Sequence, residues 1–260
     1  MNTNELLQAA WNILLVDFLR YFIAAGLAFA VLWKLFRSRV EHRRVNSVYP
    51  RAADLRREVR YSLLTVLIFA ANGLLIYTLA RGGTVEIYRD VAAYGWLYWI
   101  ASLGGIILLH DAYFYATHWL MHRRALFRWV HAVHHRSRNP SPWAAYAFHP
   151  FEAVVQAAFL PLVLLVAPLH GLVILLFLLH MIVRNVLGHS GVEIYPHGAA
   201  RRPVWRWLTS TTHHHLHHET AKGNYGLYFT WWDRRLGTEQ ARYRETLERL
   251  TARPLLAGRP

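Results

Sequence analysis

The chain has 260 residues, of which 55% are hydrophobic and only 17% charged, against about 25% in soluble domains. Its formal charge of +14 is carried by arginines beside apolar runs, which points to a lipid surface and not to nucleic acid. It has no cysteine, which excludes disulfides, Cys-ligated zinc and Cys-ligated iron–sulfur clusters. No Gly-x-Gly-x-x-Gly follows a strand and there is no P-loop, so no flavin, nicotinamide or nucleotide site is expected. The opening MNTNELLQAAWN lacks the basic region and the cleavage site expected of a signal peptide.

The first apolar run, Trp11 to Phe36, carries Asp17 and Arg20 three residues apart, a spacing that allows them to pair on one helix face. The second, Tyr61 to Ala80, has no charge and is long enough to span the hydrocarbon. The third runs from Val91 to Leu109. The fourth, Ala153 to Val183, exceeds one span; Pro161 interrupts it and APLHG reads as a turn, which predicts a helical hairpin. The expected fold is all-α: a polytopic membrane protein of about four to five transmembrane helices with a histidine-rich helical cap. Three parts are expected: 1–90 as N-terminal membrane helices with a basic loop, 91–240 as the catalytic unit, and 241–260 as a tail.

Arginine placement orients the runs. Arg37 to Arg60 holds eight arginines, and Arg123 to Arg138 holds five and no acid. The positive-inside rule puts both connections in the cytoplasm and the N-terminus outside. The expected location is a bacterial inner membrane, with the histidines on the cytoplasmic side.

Sixteen of the 17 histidines lie between His110 and His218. They form HWLMH (His118, His122), HAVHH (His131, His134, His135) and HHLHH (His214, His217, His218). On a helix, residues three or four apart share a face, so each box is expected to aim its imidazoles at one point. Imidazole ligates iron, zinc, copper and nickel. Eight histidines exceed one tetrahedral zinc site and suit two ions of higher coordination number. No His-Glu-x-x-His occurs. An all-nitrogen set in a membrane protein fits oxygen-activating non-haem iron. His42, His170, His180 and His197 read as ordinary hydrogen-bonded histidines.

The ordered set DAYFYATHWLMH, HAVHH, AFHPFEAVVQ, GHSG, HHLHH and NYGLYFTWWDRRLGT, over Asp111 to Thr238, resembles the membrane fatty acid hydroxylase/sterol desaturase superfamily of non-haem diiron oxygenases. FHPFE and the step from the last box to NYG are most similar to the sterol C-5 desaturase branch. The resemblance implies His118, His122, His131, His134, His135, His214, His217 and His218 as ligands, with His189 of GHSG as an additional one. Asn185, four residues before His189, faces the same way. It offers His149 of FHPFE as a ligand or a partner of one, and Glu152 or Asp111 as carboxylates that orient a ligand imidazole; helix capping and an ion pair with a nearby arginine are the alternatives for these two. His110, eight residues before His118, is either a further ligand or a buried histidine donating to a backbone carbonyl.

Two departures stand out. Trp119 occupies a position where many members carry Arg. His213 and His215 are extra, and His213, four before His217, leaves the register of the third box open. Asp233 is expected to cap a turn or to pair with Arg234 or Arg235. The resemblance implies two iron ions, dioxygen as co-substrate, a bilayer lipid substrate (sterol, fatty acyl, carotenoid or ether lipid), and electrons from cytochrome b5, ferredoxin or an NAD(P)H reductase. The competing readings are a zinc-dependent membrane metallohydrolase or isomerase, and a non-enzymatic metal-binding membrane protein.

Overall fold

The computed structural model describes residues 2–257, so the last three residues of the expected tail lie outside the described residues. Helix α1 (Thr3–Phe29) starts at a capping box between Asn2 and Glu5 and runs on as π-helix over Ala30–Leu35. After the arginine-rich connection, α2 (Ala52–Arg81) returns across the bundle and α3 (Gly95–Met121) crosses again. Each of the three is apolar and long enough to span a membrane, as is α5 (Gly171–Gly188). Its hairpin partner α4 (Pro150–Leu164), at 15 residues, is shorter than a span.

The hairpin is present, but its break is not where proline suggested. Pro161 lies inside α4, and the chain turns only after Leu165, through Pro168. A membrane helix tolerates proline where packed neighbours satisfy the freed backbone groups. The turn is fixed on the far side of the bundle by two residue pairs of parallel strand, β1 (Ile87–Tyr88) with β2 (Leu169–His170). His170 behaves as an ordinary histidine there: its Nε2 is 2.8 Å from the Arg89 carbonyl oxygen, and its Nδ1 caps Leu172.

One core joins the first two helices to the rest. Tyr21, Ala25 and Val66 pack with Ala145, Tyr146, Phe148, Ile182 and Val186. The Trp143 carbonyl accepts from both the Tyr21 hydroxyl and the Ser62 hydroxyl, tying α1 and α2 to the 142–146 turn.

Opposite the β-pair, the polar segments form one cap. Helix α6 (Thr211–Thr220) bears the third box, and α7 (Tyr243–Leu250) packs on it through Tyr243 and Leu247 against Leu216. The stretch expected as a tail thus covers the outer side of the histidines. Arg43, fully buried, donates to the carbonyls of Tyr195 and Arg253, and Trp33 Nε1 donates to the Ser190 carbonyl, so the first connection is clamped onto the cap.

This path puts 36–51, 122–149 and 189–257 on one side of the bundle and 82–94 on the other. With no native cysteine, Arg39→Cys and Thr84→Cys report directly: an impermeant thiol reagent added to sealed vesicles should label only one of the two, and label the other only after permeabilisation.

Candidate metal centre

Nine histidines converge just beyond the ends of α3 and α5. They form two adjoining groups, His118, His122, His131, His135 and His217 in one, and His134, His189, His214 and His218 in the other. Neither group contains a carboxylate.

Within each group the Nε2 atoms face one another. In the first, His118 is 3.1 Å from His131, and His122 is 3.2 Å from His135. In the second, His189 lies 3.3, 3.0 and 3.1 Å from His134, His214 and His218, and His214 lies 3.1 Å from His218. Between His189 and His218 the contact is not a hydrogen bond, because both rings carry their proton on Nδ1. His118 Nδ1 is 2.8 Å from the Tyr225 carbonyl oxygen, His189 Nδ1 2.7 Å from that of Asn185, His217 Nδ1 2.7 Å from that of Gly223 and His218 Nδ1 2.9 Å from that of Ser137. A carbonyl only accepts, so in each ring the proton sits on Nδ1 and Nε2 keeps a bare lone pair. Glu152 stands beside a fifth ring, its Oε1 2.8 Å from His131 Nδ1.

Bare lone pairs about 3 Å apart in a dry interior repel. A cation at their common focus reverses the sign: ligands at right angles with metal–nitrogen bonds of about 2.1 Å sit about 3.0 Å apart. His217 Nε2, buried with no hydrogen-bond partner among the described residues, is the orphan that such an ion would satisfy. The donor set therefore fits two metal ions held by neutral imidazole.

The structure corrects the expected grouping. The first box aims both its imidazoles at one group, but the second and third do not. From HAVHH, His131 and His135 go to the first group and His134 to the second; from HHLHH, His217 goes to the first and His214 and His218 to the second. Nor is the second box α-helical. The helix over Arg124–Val130 ends before it, and a turn followed by 3₁₀ winding at His134–Arg136 sends His134 to the other side.

The remaining candidates separate. Glu152 lies beside His131 of the first group, carboxylate to imidazole. Asn185 acts through its backbone carbonyl, while its side chain donates to the Ala145 carbonyl and locks the end of α5. Three others are corrections. Asp111 touches no ligand imidazole; it accepts from the backbone N–H groups of Tyr228 and Phe229 and from Trp231 Nε1, anchoring the aromatic segment to α3. His149 caps α4 and lies outside both groups. His110 faces Phe159 and Phe177 with its Nδ1 2.8 Å from the Tyr228 hydroxyl, because two turns of α3 separate it from the cage; its partner is a side chain and not a backbone carbonyl.

His213 settles the register. It is fully buried and outside both groups, with its Nε2 3.4 Å from Asp233. Asp233 also accepts from the N–H groups of Tyr225 and Gly226 and from the Thr238 hydroxyl. Arg234, an expected partner of Asp233, pairs instead with Glu239. Burial alone would raise the Asp233 carboxyl, but its bonds from His213, Thr238 and Gly226 hold it below the usual range. His42 and His197 are hydrogen-bonded as expected, to the carbonyls of Pro254 and Thr251; His180 Nε2 has no partner among the described residues.

Sequence reasoning missed the backbone acceptors. Gly223 and Tyr225 belong to the segment that closes over the first group. Its path needs left-handed backbone at Gly223, and a Cβ there would meet the Thr238 carbonyl oxygen at 2.5 Å. The local signal was the Gly-Asn-Tyr-Gly turn, but a turn does not say which carbonyls face a histidine.

This site defines an all-α membrane protein with two adjoining all-histidine centres. The sequence profile of the fatty acid hydroxylase family matches residues 103–238, and the chain belongs to that family. Its relatives are of the sterol desaturase-like branch. It is 28% identical over 223 residues to a Delta(7)-sterol 5(6)-desaturase of Gibberella zeae, covering 85% of this chain and 65% of that protein. It is 29% identical to lathosterol oxidase of Rattus norvegicus, covering 68% and 58%, and 30% identical to methylsterol monooxygenase 1 of the same species, covering 55% and 48%. The chain spans less than two thirds of the length of these relatives. They are fungal and animal proteins and lend no support to a bacterial inner membrane; the four apolar helices fit an integral membrane protein. No solved structure matches the chain.

The two groups make separable expectations. His217→Ala should empty the first centre and His214→Ala the second, each lowering bound metal from two ions to one per chain. His215→Ala, at a buried histidine outside both groups, should leave two. Elemental analysis of purified variants measures this.

Acid should unfold the metal-free protein. Burial pushes His135 down to about 3 and His189 down to about 4, and pushes His134, His214, His217 and His218 well below their ordinary range. The unfolded chain takes up these protons near pH 6.5, roughly the free imidazole value, and the folded cage takes them up only at lower pH. Stability should therefore be highest above about pH 6.5 and fall as pH drops toward 4, read as a declining melting temperature.

Proposed function

We propose that the chain is an oxygen-dependent diiron oxidoreductase that hydroxylates or desaturates a membrane lipid. The observation that carries this reading is the pair of adjoining nitrogen-only groups with their lone pairs converging. His118, His122, His131, His135 and His217 would hold one iron, and His134, His189, His214 and His218 the other. With dioxygen and two electrons, bound iron supplies the oxidising power to break an unactivated C–H bond.

The protein's own part is positional. Backbone carbonyls fix the tautomers of His118, His189, His217 and His218, which raises their basicity and holds ring orientation. The aromatic segment pinned by Asp111 and Asp233 covers the first group and keeps bulk water out. The cage lies just past the ends of α3 and α5, within reach of a lipid that enters between helices.

The named activities of the relatives, sterol desaturation, lathosterol oxidation and methylsterol monooxygenation, all support a sterol or similar lipid as substrate. Electrons come from a separate donor, cytochrome b5, ferredoxin or an NAD(P)H reductase. Arg123, Arg124, Arg128, Arg136 and Arg138 are exposed on the cage side and suit an acidic carrier. Their number also favours the cytoplasmic side for the cage.

The test is reconstitution in lipid with a reductase, its carrier and candidate sterols. A product heavier by one oxygen or lighter by two hydrogens, formed only with dioxygen, is the expected outcome. Sustained turnover without a donor protein would sink the electron-transfer claim, and full zinc occupancy without oxygen consumption would sink the oxygenase.

A further inference from the structure

Asp17 and Arg20 lie at mid-depth in α1, each 8% exposed, joined by a 2.7 Å bond. Ionisable groups at this depth are costly, and the pair plays no part in the cage. Arg20 spends one nitrogen on Asp17; its Nε and Nη1 are buried and hydrogen-bond to nothing among the described residues.

Both residues line a cavity of ≈ 350 Å³ among α1, α2, α4 and α5, within the size range of lipid and cofactor sites. Most of its wall is apolar, and Val16, half exposed, marks a mouth toward lipid. Gln156, whose Nε2 is likewise buried and unpaired, stands in the wall with the pair. Gln156 lies one helical turn from Glu152, the carboxylate that touches His131, so this polar end faces the cage.

We propose that this cavity takes the substrate lipid and that the Asp17–Arg20 pair recognises a neutral hydroxyl at the lipid's polar end. The word substrate rests on the proposed function; the recognition does not. A hydroxyl accepts from the free Arg20 N–H groups and donates to the Asp17 carboxylate, satisfying both members. A lipid carboxylate would set a second negative charge beside Asp17. A hydrocarbon would leave the buried donors unpaired. Both residues lie outside the family-matched stretch 103–238, so the pair is a specificity element separate from the histidine framework.

The test uses the full chain in nanodiscs, without dioxygen or electron donor, and three photoactivatable probes: a diazirine-bearing sterol, its deoxy analogue and its succinate half-ester. The sterol should label peptides of α1, α4 or α5 about tenfold more than either analogue, the discrimination of one hydrogen bond to a charged group. Arg20→Gln should lower sterol labelling to the deoxy level and leave deoxy labelling unchanged, an effect a merely structural ion pair would not produce. If that variant does not fold, the uncharged double variant Asp17→Asn/Arg20→Gln should show the same lost preference. Ile174→Trp, which fills the cavity away from the pair, should reduce labelling by all three. Equal labelling by sterol and deoxy probe, or a folded Arg20→Gln protein that keeps the preference, overturns the proposal. Hydroxyl-dependent labelling in a protein that never consumes oxygen would overturn the oxygenase reading alone.

Discussion

The fold depends on burying unprotonated imidazole nitrogens that point at one another. Four of the nine rings, His118, His189, His217 and His218, have given their Nδ1 protons to backbone carbonyls, so their Nε2 lone pairs stay bare among close-set imidazoles at an electrostatic cost. A cation at each focus would turn this cost into an attraction between separate segments. Every residue from Thr211 to His218 is buried, although burying a polar group is costly unless it is partnered.

The rest of the molecule brings those segments within reach. Membrane helices α3 and α5 deliver His118 and His189 at their ends. The aromatic segment is pinned twice, by Asp111 from α3 and by Asp233 from within its own turn, and it returns two carbonyls to the ligands. Arg43 and Trp33 bind the first connection to the same cap, so residues far outside the histidine boxes support the cage. Asp17 and Arg20 stand apart from this framework. They face the lipid cavity, where the requirement is selection and not coordination.

Much of this was legible in the chain. The uncharged runs gave the spans because hydrocarbon tolerates few charges, and APLHG gave the hairpin turn. The three histidine boxes hold eight of the nine histidines that converge. Asp17 and Arg20 paired as their three-residue separation allows. The misreadings share a cause. His149 read as a ligand or a partner of one but caps a helix, His110 read as a ligand or a donor to a backbone carbonyl but meets the Tyr228 hydroxyl, and Asp111 read as an orienting carboxylate, a cap or an ion-pair member but anchors a loop. Each depends on what lies across a long-range contact, which local spacing does not encode.

The sequence by itself determined a membrane-embedded, all-α chain with an all-nitrogen donor set, because composition and helical periodicity act over a few residues. Only the tertiary structure decided which histidines share a centre. His217 joins His118 and His122, about a hundred residues away, while its neighbour His218 joins His134 and His189. Adjacent residues on a helix point about 100° apart, so one box can serve two centres, and the packing of the segments around it chooses which.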